Sequence, residues 1–533
     1  MIWLRLLLAG GIAAPVLAGL ALTLAMALHP EAAGYRVAGW QTALRLTLVT
    51  GVGATVLSVA LSVPLSLWLL PKARARVWLA PFLAVPHATL ALGLAFLVAP
   101  SGWLVRLVWP FDLPPAIVTV GDPWGVALIL GLVLKEVPFL TLVTLAAAAQ
   151  HPLEAHFAAG QSLGYTRRQI WRQVVWPMLY PALRLPVFIT LAFSLSVVDM
   201  ALLLGPSHPP TLAVQILRLF TAADPDARFA GARLAAGLLL VTGAVAGLWW
   251  AAGAALAPLS RHRLRRGLRQ ARGPSGGALI GVSGLMLGGA ALLVLALWSV
   301  ARRWSFPAVL PEQMSLAGWQ RLAWVEPAGE TLLVGLAATA ISLVLALLWL
   351  EVEDRSGARM RSGVLIVIIP LLLPQIAFLQ GVAEGFVRLG LPAGRGAVIW
   401  AEVLFVFPYV MIALAGPWRA MDAQQIASAA SLGAGPARRF WRVKLALMLR
   451  PLLTAAAVGF AVACAQFLAV LLPGAGRVQT LATEAVALAS GADRRLAALY
   501  GLVLAALPLL AYALALCVPA WLHRDRRGMR GER

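Results

Sequence analysis

The sequence predicts an all-α membrane protein with about twelve transmembrane helices, arranged as two parallel six-helix repeats. The first observation is composition: of 533 residues, 61% are hydrophobic and only 12% are charged. Such an excess of apolar residues is typical of membrane proteins. The second observation is the number of apolar stretches that reach the roughly 20 residues needed to cross a bilayer. The third is a set of short motifs that recurs once in each half of the chain.

About twelve apolar stretches are long enough to cross a membrane. They are 6–28, 42–70, 78–99, 124–149, 182–204, 230–258, 277–300, 329–350, 363–383, 397–419, 452–472 and 496–522. The first stretch contains Ala25-Met26-Ala27, which resembles a signal-peptide cleavage site. Because this stretch is longer than the apolar core of a usual signal peptide, we predict that it stays as an uncleaved anchor.

The formal net charge of +22 is explained by the placement of the basic residues. Most Lys and Arg fall in loops that alternate on one side of the predicted membrane, as the positive-inside rule requires, so lipid is expected and nucleic acid is not. An even number of spans puts both termini on the same side, and the basic tail 524–533 places them in the cytoplasm. Arg302 and Arg303, which this topology puts outside, are exceptions. Cys464 and Cys517 lie in apolar spans, so no disulfide framework is expected.

A basic linker divides the chain. It occupies residues 261–275, on the predicted cytoplasmic side, and separates a first half (1–260) from a second half (276–533). Because each half has an even number of spans, the two halves have the same orientation. The sequence therefore predicts parallel repeats related by an axis along the membrane normal.

One cytoplasmic stretch occurs in both halves. Ser162–Leu179 and Ser431–Met448 align without a gap at an offset of 269 residues. Each has a small-residue helical run, then a glycine (Gly164 or Gly433), then a basic amphipathic segment with an aromatic residue. We expect each glycine to break a short helix with backbone angles that bulkier residues resist. Basic segments beside a membrane often contact only lipid headgroups, but two copies at matching positions favour docking surfaces for a two-fold partner.

This stretch resembles the cytoplasmic loop of permease subunits in type I ABC importers, in which an EAA motif is followed by a glycine and a Leu-Pro at fixed distances. Gly164 and Pro177 stand 13 residues apart, as do Gly433 and Ala446. The acidic residue of the motif is absent from both copies, where the sequences are Ala158-Ala159-Gly160 and Ala427-Ser428-Ala429. Fusion of both halves in one chain resembles the ferric-iron and thiamine importer permeases. Ser196–Asp199 and Gly205–Thr211 look closest to the Ynj-type permeases.

The resemblance implies a multi-pass permease of the bacterial inner membrane. The chain would not be an enzyme and would bind no cofactor, because two separate ATPase subunits would bind ATP and a periplasmic or lipid-anchored binding protein would deliver the substrate. The residues agree, since the sequence contains no Walker A or other catalytic motif. The residues expected to couple to the ATPases are Ala158, Ala159, Gly160, Gly164, Arg167, Arg168, Trp171, Pro177, Ala427, Ser428, Ala429, Gly433, Arg438, Arg439 and Phe440.

Further motifs repeat within the spans. They are Pro86-His87 with Pro374-Gln375, both before a glycine (Gly93, Gly381); Pro138-Phe139 with Pro408-Tyr409; Asp199-Met200 with Gln466-Phe467; and Thr211-Leu212-Ala213 with Thr480-Leu481-Ala482. Polar groups within spans are costly in lipid and normally face a cavity. We therefore predict a substrate path, with no metal site, formed by Asp199, Gln466, His87, Gln375, Ser194 and Ser196.

Two points about charged residues in the spans stay open. Asp199 either faces the path, forms a pair with Lys135 or another buried partner, or lies near the outer interface of the membrane. Lys135 and Glu136 are sequence neighbours and point in different directions on a helix, so one is expected to face the cavity and the other a neighbouring helix.

The substrate and the transporter class have alternatives. The resemblance leaves a thiamine-like substrate and ferric iron both open. A secondary transporter of the major-facilitator type also has twelve spans in two halves. Its usual Gly/Asp/Arg-rich loop between spans two and three is absent, because residues 71–76 contain neither glycine nor an acid.

Overall fold

The computed structural model describes residues 2–72, 79–267, 276–357, 359, 363–491, 493–522 and 524. The helices of the first half are α1 Ile2–Leu8, α2 Ala14–Ala27, α3 Pro30–Gly34, α4 Trp40–Leu69, α5 Ala80–Ala84, α6 His87–Val98, α7 Trp103–Val108, α8 Val126–Ala148, α9 Leu153–Ser162, α10 Arg167–Ile170, α11 Trp176–Ser196, α12 Asp199–Leu204, α13 Leu212–Phe220 and α14 Pro225–Arg265. Short π-helical segments, Ala9–Ala13 and Trp171–Val175, join α1 to α2 and α10 to α11.

The second half repeats this order. Its elements are α15 Gly277–Val300, β1 Ala301–Arg303, β2 Gln313–Met314, α16 Ala317–Gln320, α17 Val325–Ser356, α18 Gly363–Leu372, α19 Gln375–Arg388, α20 Arg395–Arg419, α21 Ala423–Ser431, α22 Pro436–Arg438, the π-helical segment Arg439–Lys444, α23 Leu445–Leu447, α24 Leu449–Cys464, α25 Leu468–Gly474, α26 Leu481–Ala489 and α27 Arg494–Leu522. The antiparallel β1–β2 pair was not predicted. An ion pair between Arg303 and Glu312, with 3.0 Å between nitrogen and oxygen, supports it.

The predicted all-α membrane architecture is confirmed. Within the described residues, ten helices are long and apolar enough to cross a membrane, and up to twelve spans result if each of two bent helix pairs is one span. The repeat extends to single hydrogen bonds. The amide of Leu212 donates to Thr47 Oγ1 at 2.8 Å, and the amide of Leu481 donates to Thr331 Oγ1 at 2.9 Å. Each bond ties the start of a short helix, α13 or α26, to the second span of its own half.

The third and fifth spans are interrupted, whereas the apolar pattern predicted continuous helices. The third spans break at Val85-Pro86 and Leu373-Pro374, because proline lacks the N–H that continues a helix and disfavours helical geometry in the residue before it. The two parts of the second-half span meet at 110°. The fifth spans break between α11 and α12 and between α24 and α25. Asp199 therefore begins α12 and does not lie inside a continuous helix.

The first span of each half packs against the other half. Helix α2 lies against α19, and α15 lies against α6. Glycines allow the close approach, since a Cβ on Gly93 would lie 2.5 Å from Ala291 O and a Cβ on Gly381 would overlap Gly19 O. The halves 1–260 and 276–533 are thus interlocked through their first helices. The predicted linker 261–275 begins as the end of α14, while its residues 268–275 and the tail residues 525–533 lie outside the described part of the chain.

Candidate substrate cavity and coupling loops

A cavity of about 280 Å³ lies where the four helix interruptions meet. Residues on either side of each break contribute to its wall: Val85, Pro86 and His87; Val197, Val198 and Asp199; Leu371, Leu373 and Gln375; and Ala465, Gln466 and Phe467. Interrupted spans leave backbone groups without helical partners, which a membrane protein tolerates only where the groups are buried in protein or face a cavity. This location, between two halves and at broken helices, is the arrangement of substrate sites in membrane transporters.

Five of the six residues predicted for the substrate path lie on the cavity wall. They are His87, Ser196, Asp199, Gln375 and Gln466. Ser194 does not line the cavity. Its buried hydroxyl has no hydrogen-bond partner among the described residues.

The predicted alternative of a buried Asp199–Lys135 pair is not observed. None of the ion pairs within 4.0 Å in the described part of the chain includes either residue. Lys135 Nζ instead donates to three backbone carbonyls at the end of α5, those of Phe82 (2.9 Å), Leu83 (3.1 Å) and Val85 (2.5 Å). Asp199 is buried and lies in the first turn of α12, the end at which a negative charge is stabilised by the helix dipole.

The expectation that Lys135 and Glu136 face different surroundings is wrong in one respect, because both line the cavity. Their side chains then diverge toward different partners. While Lys135 reaches α5, Glu136 Oε2 accepts a hydrogen bond of 2.8 Å from Thr190 Oγ1 of α11. Adjacent positions on a helix can border one cavity when its wall curves around the helix.

The cavity wall is chemically asymmetric. Its charged residues, Lys135, Glu136 and Asp199, all come from the first half, while the second half contributes amides and aromatic rings. The predicted pairing of Asp199 with Gln466 is shifted by two residues. Since α12 and α25 begin 269 residues apart, the positional counterpart of Asp199 is Leu468, which also lines the cavity.

Sequence reasoning missed several aromatic residues of the wall, of which Phe405, Tyr409 and Tyr512 belong to the second half. A signal existed for two of them. Tyr409 follows Pro408 and Phe405 precedes it by three residues, and the match of Pro408 to Pro138 was already visible in the sequence. Tyr512 lies on α27 at a position with no repeat motif.

The two repeated basic stretches, Ser162–Leu179 and Ser431–Met448, fold alike. In each, a helix (α9 or α21) ends at a glycine of positive φ, +82° at Gly164 and +77° at Gly433. The left-handed region is costly for residues with a side chain. A leucine beside each glycine points outward, with Leu163 59% and Leu432 88% exposed. The basic segment that follows contains a π-helical turn in both copies. Each half thus presents a protruding turn of the same shape.

Most of the predicted coupling residues lie at this surface. Those that are exposed or partly exposed are Ala158, Ala159, Gly160, Gly164, Arg167, Arg168, Pro177, Ala427, Ser428, Ala429, Gly433, Arg438, Arg439 and Phe440. Trp171 is different, because it is 1% exposed and its Nε1 donates to Val63 O of α4 at 2.9 Å. Trp171 therefore holds the loop against the second span and is not available to a docking partner.

The two loops are attached to the membrane helices by different chemistry. In the first half the attachment is apolar, with Trp171 and Val175 packed in a buried cluster that includes Leu67 and Leu70 of α4. In the second half it is ionic. Lys444 Nζ lies 2.6 Å from Glu351 and 2.7 Å from Asp354 of α17.

A neighbouring ion pair joins α17 to α20, since Arg419 at the end of α20 lies 2.8 Å from Glu353 of α17. Among the described residues, no three His, Cys, Asp or Glu side chains are grouped closely enough to hold a metal ion.

The fold and the site together define a two-half membrane permease. The chain is 35% identical over 485 residues to the inner membrane ABC transporter permease protein YnjC of Escherichia coli, covering 91% of this chain and 88% of that protein. It is also 31% identical over 164 residues to the molybdenum transport system permease protein ModB of Mycobacterium tuberculosis and of Mycobacterium bovis, covering 27% of this chain and 62% of each relative. No protein-family model matches the chain. The chain belongs to the ABC transporter permease family, which replaces the major-facilitator alternative.

Proposed function

We propose that this chain forms the substrate path of a binding-protein-dependent ABC importer and couples that path to two separate ATPase subunits through its two cytoplasmic loops. The observation that carries the proposal is the combination of one cavity shared by both halves with two protruding turns of the same backbone geometry. A repeated turn offers the same surface twice, which suits a pair of identical ATPase subunits.

The mechanism follows from this arrangement. Closure of the two ATPases around ATP would draw the two loops together. Because each loop is anchored to the second span of its half, the movement would pass to the membrane helices and rock the halves against each other. The cavity would then open alternately to the two sides of the membrane. Both termini are proposed to lie in the cytoplasm, together with the loops, and a periplasmic or lipid-anchored binding protein would deliver the substrate from the other side.

The cavity supports a small organic cation better than ferric iron, the metal ion among the substrates that the family resemblance leaves open. Two carboxylates, Glu136 and Asp199, lie on its wall beside aromatic rings such as Phe193 and Tyr409. Carboxylates and aromatic faces together attract organic cations. The one ammonium group on the wall, that of Lys135, is already occupied by backbone carbonyls.

The test is co-purification of the chain with its ATPase subunits. We expect two ATPase copies per chain, and we expect Gly164→Val or Gly433→Val to weaken their attachment without loss of the folded permease. A β-branched residue at positive φ costs about 1–3 kcal/mol, enough to lower occupancy roughly tenfold. Gly435→Val is the matched control, since Gly435 has an extended backbone (φ −65°, ψ 166°) and open space around it.

The stoichiometry is measured by native mass spectrometry, and transport by uptake into proteoliposomes. Full assembly and transport in both Gly→Val variants would show that the loops are not coupling elements. Uptake driven by an ion gradient, in a chain free of other subunits, would refute the proposed function as a whole.

A further inference from the structure

The broken third span of the first half contains a complete binding site for an ammonium group. Helix α5 ends at Ala84, so the carbonyls around its end have no helical partner. Lys135 Nζ fills the place of the missing donors, with bonds to the carbonyls of Phe82 (2.9 Å), Leu83 (3.1 Å) and Val85 (2.5 Å). An ammonium has three N–H donors, and this site uses each of them.

The second half has the same break. The amide of Leu373 donates to Ile369 O at 3.2 Å, as the amide of Val85 donates to Pro81 O at 3.0 Å, and a proline follows in both halves. Counting back from Pro374 as from Pro86, the carbonyls that correspond to the lysine-bound set are those of Pro370, Leu371 and Leu373. All three residues line the cavity.

These second-half carbonyls have no donor within the described part of the protein. Pro374 lacks the N–H that would otherwise bond Pro370 O. The amides of the next residues make no bond back across the break to Leu371 O, and no side chain in the described residues donates to the three carbonyls. A buried carbonyl without a donor costs free energy.

The residue at the position of Lys135 in the second half is Phe405. Lys135 and Phe405 each precede their matched proline, Pro138 or Pro408, by three residues. Phe405 lines the cavity and packs against Phe378 of α19, with 5.7 Å between the ring centroids. Its ring packs on the helix after the break, whereas Lys135 reaches the carbonyls before the break, and a phenyl ring has no N–H to donate. The second-half break therefore keeps the acceptors of the first-half site without its cation.

We propose that the carbonyls of Pro370, Leu371 and Leu373 bind a primary ammonium group of the transported substrate, in the way that the first-half break binds Lys135. This inference rests on the proposed function for the statement that the ligand is transported. The surrounding charge favours the same ligand. The C-terminal end of α18 presents negative partial charge, and Glu136 and Asp199 lie on the wall of the same cavity.

The proposed site distinguishes among cations. A primary ammonium can donate to three carbonyls at once, whereas a quaternary nitrogen carries the same charge with no N–H. Binding at the two carboxylates alone would accept both kinds of cation. Selectivity for N–H donors is therefore the property that identifies the carbonyl site and separates it from simple charge attraction.

The first experiment measures binding to the purified full chain by calorimetry and by thermal stability. The probe is n-butylamine at about pH 7.5, where an alkylamine is protonated as lysine is. One control is butyltrimethylammonium, which has the charge but no N–H. The other is 1-butanol, which has the same alkyl chain and no charge. We expect butylammonium to bind at least about tenfold more tightly than either control. Equal binding of the primary and quaternary cations, or no binding of butylammonium, would overturn the proposal.

The second experiment places a lysine in the second half at the position that corresponds to Lys135. In Phe405→Lys the protein's own ammonium is expected to occupy the three carbonyls, so butylammonium binding should fall at least about tenfold. Phe405→Met, which has similar length and no charge, should retain binding. A folded Phe405→Lys protein that binds butylammonium as tightly as the wild type would contradict the site. If Phe405→Lys does not fold, the selectivity of the wild-type chain decides the question.

The result is separable from the proposed function, because the binding measurement uses neither ATPase nor ATP. Selective ammonium binding in a chain that assembles with no ATPase would refute the importer function and leave the cation site standing. ATP-dependent import by a chain that shows no selectivity for the primary ammonium would leave the importer function standing and remove the site.

Discussion

Asp199 and Lys135 carry opposite charges on the wall of one cavity, yet they have different surroundings. Lys135 is held by three carbonyls, while Asp199 begins α12 and has no ion-pair partner within 4.0 Å among the described residues. A buried charge that serves folding is normally paired, and removing one partner of such a pair costs about 3–5 kcal/mol. Backbone amides at the start of α12 bond the Asp199 carboxylate in place of a cation, and we expect this carboxylate to contact whatever enters the cavity.

We expect Asp199→Asn to preserve expression, thermal stability and ATPase assembly, while substrate-stimulated ATP hydrolysis and uptake fall about tenfold or more. The amide keeps the size of the side chain and removes its charge. Melting and uptake are measured on the same preparation. The companion variant is Asp199→Asn with Lys135→Met. If Asp199→Asn alone destabilised the chain and the double variant recovered its stability, Asp199 and Lys135 would be a structural pair. Full uptake by Asp199→Asn would exclude Asp199 from the substrate path.

Sequence reasoning located polar residues well but placed their partners poorly. Asp199, Gln466, His87 and Gln375 stood out because a polar group in an apolar span needs a reason to be there. The carbonyls that hold Lys135 could not be foreseen, since a backbone acceptor leaves no mark in the residue sequence. The predicted pairing of Asp199 with Gln466 was wrong because the two halves align at the starts of their helices, which places Leu468 opposite Asp199.

The two repeated loops show how one element can be fixed in place by different contacts. At the offset of 269 residues, Lys444 of the second loop corresponds to Val175 of the first. When the second spans are aligned on the matched Thr47 and Thr331, the acids that Lys444 contacts, Glu351 and Asp354, correspond to Leu67 and Leu70 at the end of α4. Val175 is fully buried, and Lys444 is nearly so, with its side chain 8% exposed. The shape of the loop is kept while its attachment changes from apolar to ionic.

This difference predicts unequal responses to matched substitutions. Lys444→Val should lower stability by about 1–3 kcal/mol, because it leaves the partly buried Glu351 carboxylate with Arg355, 2.8 Å away, as its remaining partner. Adding Glu351→Leu should recover most of the loss by copying the first-half attachment. Asp354 can stay in the double variant, since it is more exposed and accepts a bond of 3.0 Å from Trp418 Nε1.

Denaturant titration of the purified chain provides the measurement, and ATPase co-purification reports the position of the loop. Val175→Ile is the control in the first half and should cost about 1–3 kcal/mol through overpacking alone, with no rescue by a change at an acidic residue. Equal stability of Lys444→Val and wild type would mean that the ion pairs do not hold the loop.

The breaks in the transmembrane spans could not be predicted from the sequence pattern. Apolar length predicted the spans, and the glycine offset predicted the loops, because both properties are local. Pro86 and Pro374 were visible, but a proline in a membrane helix is compatible with a kink as well as a full break. The break at Val197-Val198 has neither proline nor glycine and leaves no local signal. Polar residues in the spans predicted a substrate path, but its location at the four breaks could not be predicted without the breaks.

The interlocking of the halves is a property of the complete chain. The first helices carry no repeat motif, so nothing in the sequence assigned them neighbours across the molecule. Their contacts are made possible by small residues, as is common between membrane helices. Gly93 on α6 and Gly381 on α19 occupy equivalent positions after the matched prolines, and each touches the backbone of the other half's first helix. The two halves follow each other along the chain, and these two equivalent contacts hold them together in the folded protein.

Gly381→Ala should destabilise the whole protein by about 1–3 kcal/mol through overpacking, although alanine is the better helix former by about 1 kcal/mol. The added methyl group would overlap Gly19 O, a backbone atom that cannot move away without shifting α2. Gly385→Ala, one turn further along α19, is the matched control. A Cβ there would meet only Leu22 Cδ1 at 3.4 Å, the end of a flexible side chain. We therefore expect Gly385→Ala to be neutral or stabilising in thermal unfolding. If both variants unfold at the same temperature as the wild type, α2 does not pack closely on α19, and the halves are held together elsewhere.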